Sequence, residues 1–433
     1  MKKILQKTLR FFSKLILKKY QPKVVGITGS VGKTSTKEAV FQVLSGPFKC
    51  RSTYKNFNNE IGLPLTIIGI SESPGRNFWG WFLVFLKACK LILIKDNNYP
   101  NILILEMGVD RPNDMDYLLS IVKVDIAIVS SVSHSHLEFF KKVEAIAKEK
   151  GKLVKSLSKS GSAILNFDNP LSRQFKSLSQ AKVFFYGLQI GADLKAVDLN
   201  YNFSNFASQE PSLEKISGLN LKLEWQGSLV PLSLKKASNL NAVYAGMAAI
   251  LTGLRLGLNL MEILSSLSDF SMPPGRLNII SGIKHTYIID DTYNASPEST
   301  LAALDFLSKM KFSNSRKILV MGEMLELGSY TEKGHQLVGE EASKVVDVLI
   351  AVGEKARGII RGAIEAGFDK DKCFYFNDSD SAGRFLQELV ELNDIVLVKG
   401  SQGSRMEKVV KEIMANPLEA ESKLVRQNQS WLH

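Results

Sequence analysis

Between Val24 and Ser35 the chain reads VVGITGSVGKTS, where a β-branched apolar run breaks into Thr28-Gly29-Ser30-Val31-Gly32-Lys33-Thr34 ahead of a helix-forming stretch. Residue types at this spacing suit a nucleotide triphosphate. Glycines let the backbone turn tightly and aim successive N–H groups at phosphate oxygens, and the following helix adds the positive end of its dipole. Gly29, Ser30, Val31, Gly32 and Ser35 would form the cradle. Lys33 would reach the outer phosphates, and Thr34 would offer a hydroxyl to Mg²⁺. The long form of the motif carries a glycine five residues before Gly32. Ile27 stands there, so the match is to the shorter Gly-x-x-Gly-Lys-Thr. A glycine turn between strand and helix can also be structural punctuation; the Lys-Thr pair at its end favours phosphate.

Two more side chains fall where an open α/β sheet binds ligands. Glu106 ends the run ILILE and is followed by Met107-Gly108, and His136 lies just past the next apolar run, in SSVSHSHLEFF. Ligands of such sheets sit at the carboxyl ends of the strands. A carboxylate, an imidazole and the Thr34 hydroxyl gathered there beside a triphosphate would hold one or two Mg²⁺ ions. Taken singly, a loop histidine is more often a hydrogen-bonded structural residue, and a strand-end glutamate is commonly solvated.

The elements that must position these groups follow from periodicity. A helix is expected from about Thr34 to Leu44, then apolar strand runs at Ile102–Leu105, Ile126–Val129, Ala163–Leu165 and Val183–Phe185, with a helical pattern over Val143–Leu157 between them. Strands alternating with helices imply a mostly parallel sheet covered on both faces. From about Ala192 to Leu234 short alternating segments read as a small antiparallel sheet, and Leu240–Leu256 reads as a helix. Met272-Pro273-Pro274-Gly275-Arg276 has the composition of an interdomain linker. Beyond it TYIIDD, KILVMG, VVDVLIAVG, CFYFN and DIVLVKG are five strand candidates of a second α/β domain. The expected organisation is a basic helix at 1–22, an ATP-binding α/β domain at 23–273 and a Rossmann-like α/β domain at 274–433.

Length and composition agree with two or three globular domains: 433 residues, 45% hydrophobic and 23% charged. Cys50, Cys89 and Cys373 lie far apart without metal-ligand spacing, which argues against zinc and for a reduced, cytoplasmic setting. The first 23 residues hold eight lysines and arginines and no acid, and Ile4, Leu5, Leu9, Phe11, Phe12, Leu15, Ile16 and Tyr20 recur there at helical spacing. Lysines interrupt the apolar stretch and no small-residue cleavage site follows, so this is a poor secretory signal. A basic amphipathic helix can lie on an anionic membrane, here the inner surface, or dock on its own domain with a solvated basic face. A second apolar stretch, FWGWFLVFLKACKLILI at 78–94, is short for a membrane span and carries two lysines. With the first helix it could form a membrane-facing patch, though packing of the two against each other would hide both. Nothing points to nucleic acid, and a monomer is expected.

Ten ordered blocks carry a resemblance over nearly all of Val24–Val410. TGSVGKTS, KNFNNEIGLPLT at 55–66, LEMG at 105–108, HLEFF at 136–140, IAKEKGKL at 146–153, LNFDNP at 165–170, PGRLN at 274–278, IDDTYNASPES at 289–299, MGEMLELG at 321–328 and VKGS at 398–401 resemble the Mur ligases. Within that family the similarity is to the MurF type, which joins D-alanyl-D-alanine to a muramoyl tripeptide. The resemblance implies ATP-dependent amide formation in cell-wall precursor synthesis. The γ-phosphoryl group passes to a substrate carboxylate, an amine attacks the acyl phosphate, and phosphate leaves. It implies Glu106 and His136 as magnesium ligands and Lys150 as a carbamylated lysine helping to hold a second Mg²⁺; by its own sequence context, KEKGK, Lys150 would be called a solvated helix face. Arg276 would meet the phosphates, Asp290 or Asp291 the ribose, and Asn294 would lie near the nucleotide. Asn58, Asn59, His335, Lys399 and Ser401 fall on the substrate side.

Three departures qualify the resemblance. The MurF type begins with a domain that grips the UDP end of its substrate, whereas here the phosphate loop starts at residue 28, so that domain is expected to be lacking and the acyl carrier stays open. The family's adenine-side His-Asn aligns with Asn241-Ala242 and a second asparagine with Ala245. A family asparagine before His136 is Ser131. Two other readings stand beside the first: a Mur-like ligase acting on a different carrier or polymer, and a membrane-associated nucleotide-binding protein without catalysis.

Overall fold

The computed structural model describes every residue except 1, 55–56, 134–139, 141, 206–216, 311, 313–314, 428–430 and 432–433. Nine strands form the first sheet: β1 (Lys23–Thr28), β2 (Cys50–Ser52), β3 (Ile102–Glu106), β4 (Ile126–Val129), β5 (Ser162–Asn166), β6 (Lys182–Gly187), β7 (Leu194–Tyr201), β8 (Leu219–Trp225) and β9 (Ser228–Leu234). Their order is β2-β3-β1-β4-β5-β6-β7-β8-β9. Strands β1 and β3 to β6 are nearly continuous apolar runs because helices cover both faces, as buried parallel sheets require, while β2, Cys-Arg-Ser, is a half-buried edge strand. The antiparallel segment read from 192–234 is present, but it is hydrogen-bonded onto the parallel sheet: β7 pairs with β6 through Tyr186 and Gly187, then turns back as β8 and β9.

Strand β1 sits between β3 and β4, so the chain leaves it to one side for β2 and β3 and to the other for β4. That reversal opens a crevice at its carboxyl end, where the phosphate loop begins. Helix α2 (Lys33–Ser45) leaves the loop and buries Ala39, Val40, Val43 and Leu44 on one face of the sheet, together with the helices Leu240–Arg255 and Leu260–Ser268. The other face is covered by α1 (Lys2–Tyr20), α3 (Gly62–Ile68), α4 (Phe78–Leu93) and the helix Val143–Lys155.

Helix α1 docks. Leu9 and Ile16 are fully buried in the core cluster, Phe12 stacks at 5.7 Å on Phe85 of α4, and Tyr20 lies 4.0 Å from the ring of Tyr99. Lys19 donates to the carbonyls of Leu91 and Ile92 at the end of α4. The packing of α1 against α4 does not hide both patches: each helix keeps an outward face in solvent.

The second sheet has the order β10-β11-β15-β12-β13-β14, from β10 (Asn278–Ser281), β11 (Tyr287–Asp291), β12 (Lys317–Gly322), β13 (Val348–Val352), β14 (Cys373–Phe376) and β15 (Ile395–Lys399). All five expected strands are there. The sixth, β10, is a four-residue antiparallel edge strand that no apolar run announced. Helices pack on both faces in two further clusters. The chain passes between the sheets at 272–277, and a second contact joins them where Phe203, after β7, meets Phe306 edge-on at 5.4 Å.

Because Leu9 is wholly buried among sheet and helix side chains, Leu9→Ala should lower the unfolding free energy by about 2–5 kcal/mol. Denaturant titration followed by circular dichroism reads this directly. A loss under about 0.5 kcal/mol, the usual result at a surface position, would show that α1 is not part of the core.

Candidate active site

The loop after β1 is built around two glycines and one carbonyl. Gly29 has φ 152°, and a Cβ there would fall 2.0 Å from Ser130 Oγ; Gly32, at φ 86°, caps α2 in a left-handed conformation. Only glycine meets both requirements without strain. The segment Ser130–Ser133 braces the loop from the next strand. Ser30 N donates to the Ser131 carbonyl at 2.7 Å, Val31 N to Ser131 Oγ at 3.3 Å, and Ser130 Oγ to the Val31 carbonyl at 2.6 Å. Ser131, the departure from the family asparagine, thus does a local bracing job.

Lys33 Nζ donates to the carbonyl of Gly29 at 2.9 Å and lies 3.4 Å from that of Ser30. Lys150, from the helix Val143–Lys155, reaches the same Gly29 oxygen at 3.0 Å from beneath the loop and is 1% exposed. The solvated-face reading of Lys150 is therefore overturned. Its neighbours Lys148 and Lys152 point elsewhere: Lys152 pairs with Asp116 and Glu149. Burial lowers the pKa of Lys33, with Glu106 opposing and Arg276 assisting. The Lys150 amine is held well below its ordinary pKa by burial first and by the charge of Lys33 second.

Glu106 stands at the end of β3, buried. One carboxylate oxygen accepts from Asn58 Nδ2 at 3.1 Å, and the other is buried without a hydrogen-bond partner among the described residues. Across the crevice, Arg276 of the second sheet's lead-in donates to Thr34 Oγ1 at 3.2 Å, its guanidinium resting 4.1 Å from the centre of the Tyr293 ring. Lys399 at the end of β15 pairs with Asp291 at 2.5 Å and donates to the Asn294 carbonyl at 2.9 Å.

These groups border one cavity of about 590 Å³ between the two sheets, lined among others by Ser30–Ser35, Asn58, Asn59, Glu106, Arg276, Asp291, Asn294, Lys399 and Ser401. That volume lies in the range of small-molecule sites. Asn59 uses its side-chain oxygen to cap the turn into α3, accepting from Ile61 N and Gly62 N. Ser401 Oγ accepts from Leu325 N at 2.9 Å. Gly29 and Lys150 lie behind the wall rather than in it.

Two further expected site residues lie off the cavity. Asp290 is fully buried and spends both oxygens on structure, accepting from Gly275 N, Thr292 N and Thr292 Oγ1; burial pushes its pKa up to about 6. Of the pair Asp290 and Asp291, only Asp291 faces the cavity. His335 is also fully buried. Its Nδ1 donates to the Thr331 carbonyl at 2.7 Å and its Nε2 accepts from Met324 N at 3.0 Å, so it fixes the loop Leu325–Leu327 that lines the site. His136 lies outside the described residues. Residues that the sequence reading passed over include Asp110, Tyr293, Gln402 and Trp431 on the cavity wall, where Asn241, aligned with the family's adenine-side histidine, also lies. Asp110 could have been found, since it follows β3 by four residues at the carboxyl edge; Trp431, far along the chain, carries no local signal.

Magnesium suits this arrangement. Glu106 brings a buried acceptor oxygen with no partner, and Thr34 a hydroxyl at the loop's end. Mg²⁺ is commonly held by one or two carboxylates plus substrate phosphates, with the remaining positions filled by water. Among the described residues no cluster of three His, Cys, Asp or Glu gathers for a metal.

A phosphate loop at the switch point of one parallel sheet, met across a crevice by an arginine from a second, defines a two-sheet P-loop nucleotide-binding protein. Residues 27–74 and 87–230 match the Mur ligase middle domain, and 275–402 match the Mur ligase glutamate ligase domain. The chain belongs to the Mur ligase family. UDP-N-acetylmuramoyl-tripeptide--D-alanyl-D-alanine ligase of Bacillus subtilis (strain 168) is 29% identical over 411 residues, covering 95% of this chain and 80% of that one. The enzyme of the same name from Escherichia coli (strain K12) is 27% identical over 402 residues, 91% and 77% of the two chains. The crystal structure of MurF ligase from Thermotoga maritima in complex with ADP superposes with a TM-score of 0.74 at 26% identity, over 94% of this chain and 83% of that one. MurF from Acinetobacter baumannii shares the fold, at a TM-score of 0.76 and 23% identity over 95% and 81%.

Burial lowers the pKa of His335 in the folded protein. The unfolded chain then takes up a proton at a pH where the folded one does not, so its stabilising contribution is present above about 6.5 and declines as pH falls. Melting measured from pH 7 to 5 should drop more in the wild type than in His335→Gln, which keeps a donor and an acceptor but does not titrate. Equal drops would refute the assignment.

Proposed function

We propose that this chain is an ATP- and Mg²⁺-dependent amide ligase that joins D-alanyl-D-alanine to a muramoyl peptide, as its relatives' names describe. The observation that carries this reading is one cavity bordered on one side by Lys33 and by a Glu106 oxygen with no hydrogen-bond partner among the described residues, and on the other by Arg276 bonded to Thr34. A carboxylate is a poor acyl donor until phosphorylation turns one of its oxygens into a leaving group. Its oxygen attacks the γ-phosphorus and ADP departs; the amine nitrogen then attacks the acyl carbon, phosphate leaves, and the nitrogen loses a proton. Most of the catalytic task is positioning and charge neutralisation.

Lys33 and the loop N–H groups would hold the β- and γ-phosphates, Arg276 would meet them from the second domain, and Asp291 would face the ribose. Mg²⁺, held by Thr34, Glu106 and, in the family's pattern, His136, would neutralise charge on the transferring group. Residues 23–273 and 274–433 would act as two domains closing on the substrates through the hinge at Gly275, keeping water from the acyl phosphate. Asn58 and Asn59 border the cavity on the first domain's side and Lys399 and Ser401 on the second's, where they would contact the peptide and the incoming amine.

Lys150 would be carbamylated. Its neutral nitrogen would attack CO₂ and lose one proton, leaving a carbamate. The observation behind this is a fully buried amine held well below its ordinary pKa beside a second cation. A carbamate there would replace a like-charge contact with an attractive one.

Phosphate release by the purified protein should require the muramoyl peptide and D-alanyl-D-alanine together, and mass spectrometry should find the joined product. Release indifferent to both would refute the ligase reading, and a product only with another acyl substrate would redirect it. Lys33→Ala should cut turnover by about 10²- to 10³-fold, the usual effect of removing one preorganised electrostatic contact. Under ¹³C-enriched bicarbonate a carbamate resonance should appear in the wild type and vanish in Lys150→Ala.

A further inference from the structure

Helix α4 is apolar apart from Lys87 and Lys90, both exposed, yet only one side of it is buried. Val84, Ala88 and Leu91 face the core, while Trp79, Phe82, Leu83, Leu86 and Leu93 on the opposite side are exposed, Trp79 by 71% and Leu93 by 81%. A helix of this composition is normally enclosed on every side, and contiguous exposed apolar surface of this kind marks an interaction site. At 16 residues it is too short to cross a bilayer, and among the described residues no helix is long and apolar enough to do so.

Helix α1 lies alongside it. The ring chain Phe11–Phe12–Phe85 runs from the outer edge of α1 into α4 at centroid spacings of 5.9 and 5.7 Å. Next to exposed Ile4 and Phe11, the outer face of α1 carries Lys3, Lys7, Lys14 and Lys18, all exposed. Neither helix contains an acidic residue. The other cations of α1 are used within the fold: Lys2 pairs with Glu60, Arg10 rests over Tyr117, and Lys19 caps α4.

We propose that the joint outer surface of α1 and α4 docks this protein onto an anionic lipid bilayer, with the aromatic and aliphatic side chains of α4 entering the interfacial zone and the lysine stripe of α1 meeting the headgroups. An acidic protein groove would satisfy the lysines, but a row of Trp, Phe and Leu edged by lysines without an ion pair among the described residues matches the depth profile of a lipid interface, apolar within and anionic at the rim. The surface is tied to the site. Glu60, which receives both Lys2 at 3.0 Å and Gln6 at 3.1 Å, follows Asn59 on the cavity wall. Docking would therefore bring the first domain's side of the cavity to the membrane, where an acyl substrate carried on a lipid could reach it.

The test is co-sedimentation of the full-length protein with vesicles of neutral phosphatidylcholine alone or with about 30% phosphatidylglycerol. Binding should be confined to the anionic vesicles, weaken as salt rises, and fall by about tenfold or more both in Lys3→Glu/Lys7→Glu/Lys14→Glu/Lys18→Glu and in Trp79→Ser/Phe82→Ser/Leu86→Ser. Circular dichroism and phosphate release in vesicle-free buffer should match the wild type in both variants, which separates this proposal from the ligase reading. Failure of the wild type to bind anionic vesicles would overturn it. So would binding undiminished by either variant, or sedimentation velocity showing that the same apolar residues hold two copies of the chain together in place of lipid.

Discussion

Two lysine amines, Lys150 fully buried and Lys33 half-buried, share a single backbone oxygen. Lys33 and Lys150 both donate to the carbonyl of Gly29, at 2.9 and 3.0 Å, one from the start of α2 and one from a helix on the opposite face of the sheet. Burying one cation without a counter-charge is costly, and burying two side by side is worse. The surroundings are arranged around that cost. Glu106 and Asp110, at the carboxyl end of the adjacent strand, raise the pKa of Lys33, and Asp110 with Glu149 raises that of Lys150, against the desolvation that lowers both. The result is a loop whose positive potential is fixed before any phosphate reaches it, which is the form of preorganisation that lowers the cost of charge transfer. The same oxygen explains why position 29 must be glycine: the peptide is turned so that its carbonyl faces both amines, and that turn leaves no room for a Cβ beside Ser130.

The second half of the site is held from behind. Arg276 reaches Thr34 because its guanidinium lies on the Tyr293 ring, and the backbone of Thr292 and Tyr293 is gripped in turn by Arg426, which pairs with buried Glu407; Glu407 also receives Arg405. Asp290 ties the turn at Gly275 to the same strand end. The hinge residue that crosses between the sheets thus takes its position from a largely buried ionic network packed directly behind the Thr292–Tyr293 backbone. Breaking a buried pair leaves an uncompensated charge, so such a network resists drift more than it adds net stability. An arginine on a linker this constrained can move with its domain and little on its own.

The fold was legible wherever a physical requirement is local and repeated. Strands β3 to β6 and the five main strands of the second sheet announce themselves because a strand buried on both faces must be apolar throughout. The phosphate loop is legible because its chemistry lies within seven consecutive residues. Lys150 is the opposite case: in KEKGK it is indistinguishable from Lys148 and Lys152, and only the packing of its helix under the loop decides which lysine is swallowed. His335 and Asp290 misled for a related reason. Motif position carries them to the right neighbourhood, but whether a side chain faces the cavity or the loop behind it depends on which nearby groups claim it, Thr331 and Met324 for His335 and Gly275 and Thr292 for Asp290. Strand β10, four residues long and at an edge, needs too little apolar surface to leave a periodic trace.

The places where local rules fail here are few, and they divide by consequence. A buried lysine beside another, a glycine that no other residue can replace and a carboxylate oxygen without a partner all gather at one crevice, where each breach is offset by what the crevice does with charge. Helix α4 is the remaining breach, and it lies away from that crevice. Its buried side already satisfies the core, so the Trp, Phe and Leu on its other side contribute nothing to holding the sheet and expose apolar area that costs solubility. Sequences that specify one structure are consistent across levels except where function demands otherwise. A residue set that stabilises neither the core nor the loop, and that sits beside a lysine stripe with no ion pair among the described residues, is what docking on an anionic lipid surface would use.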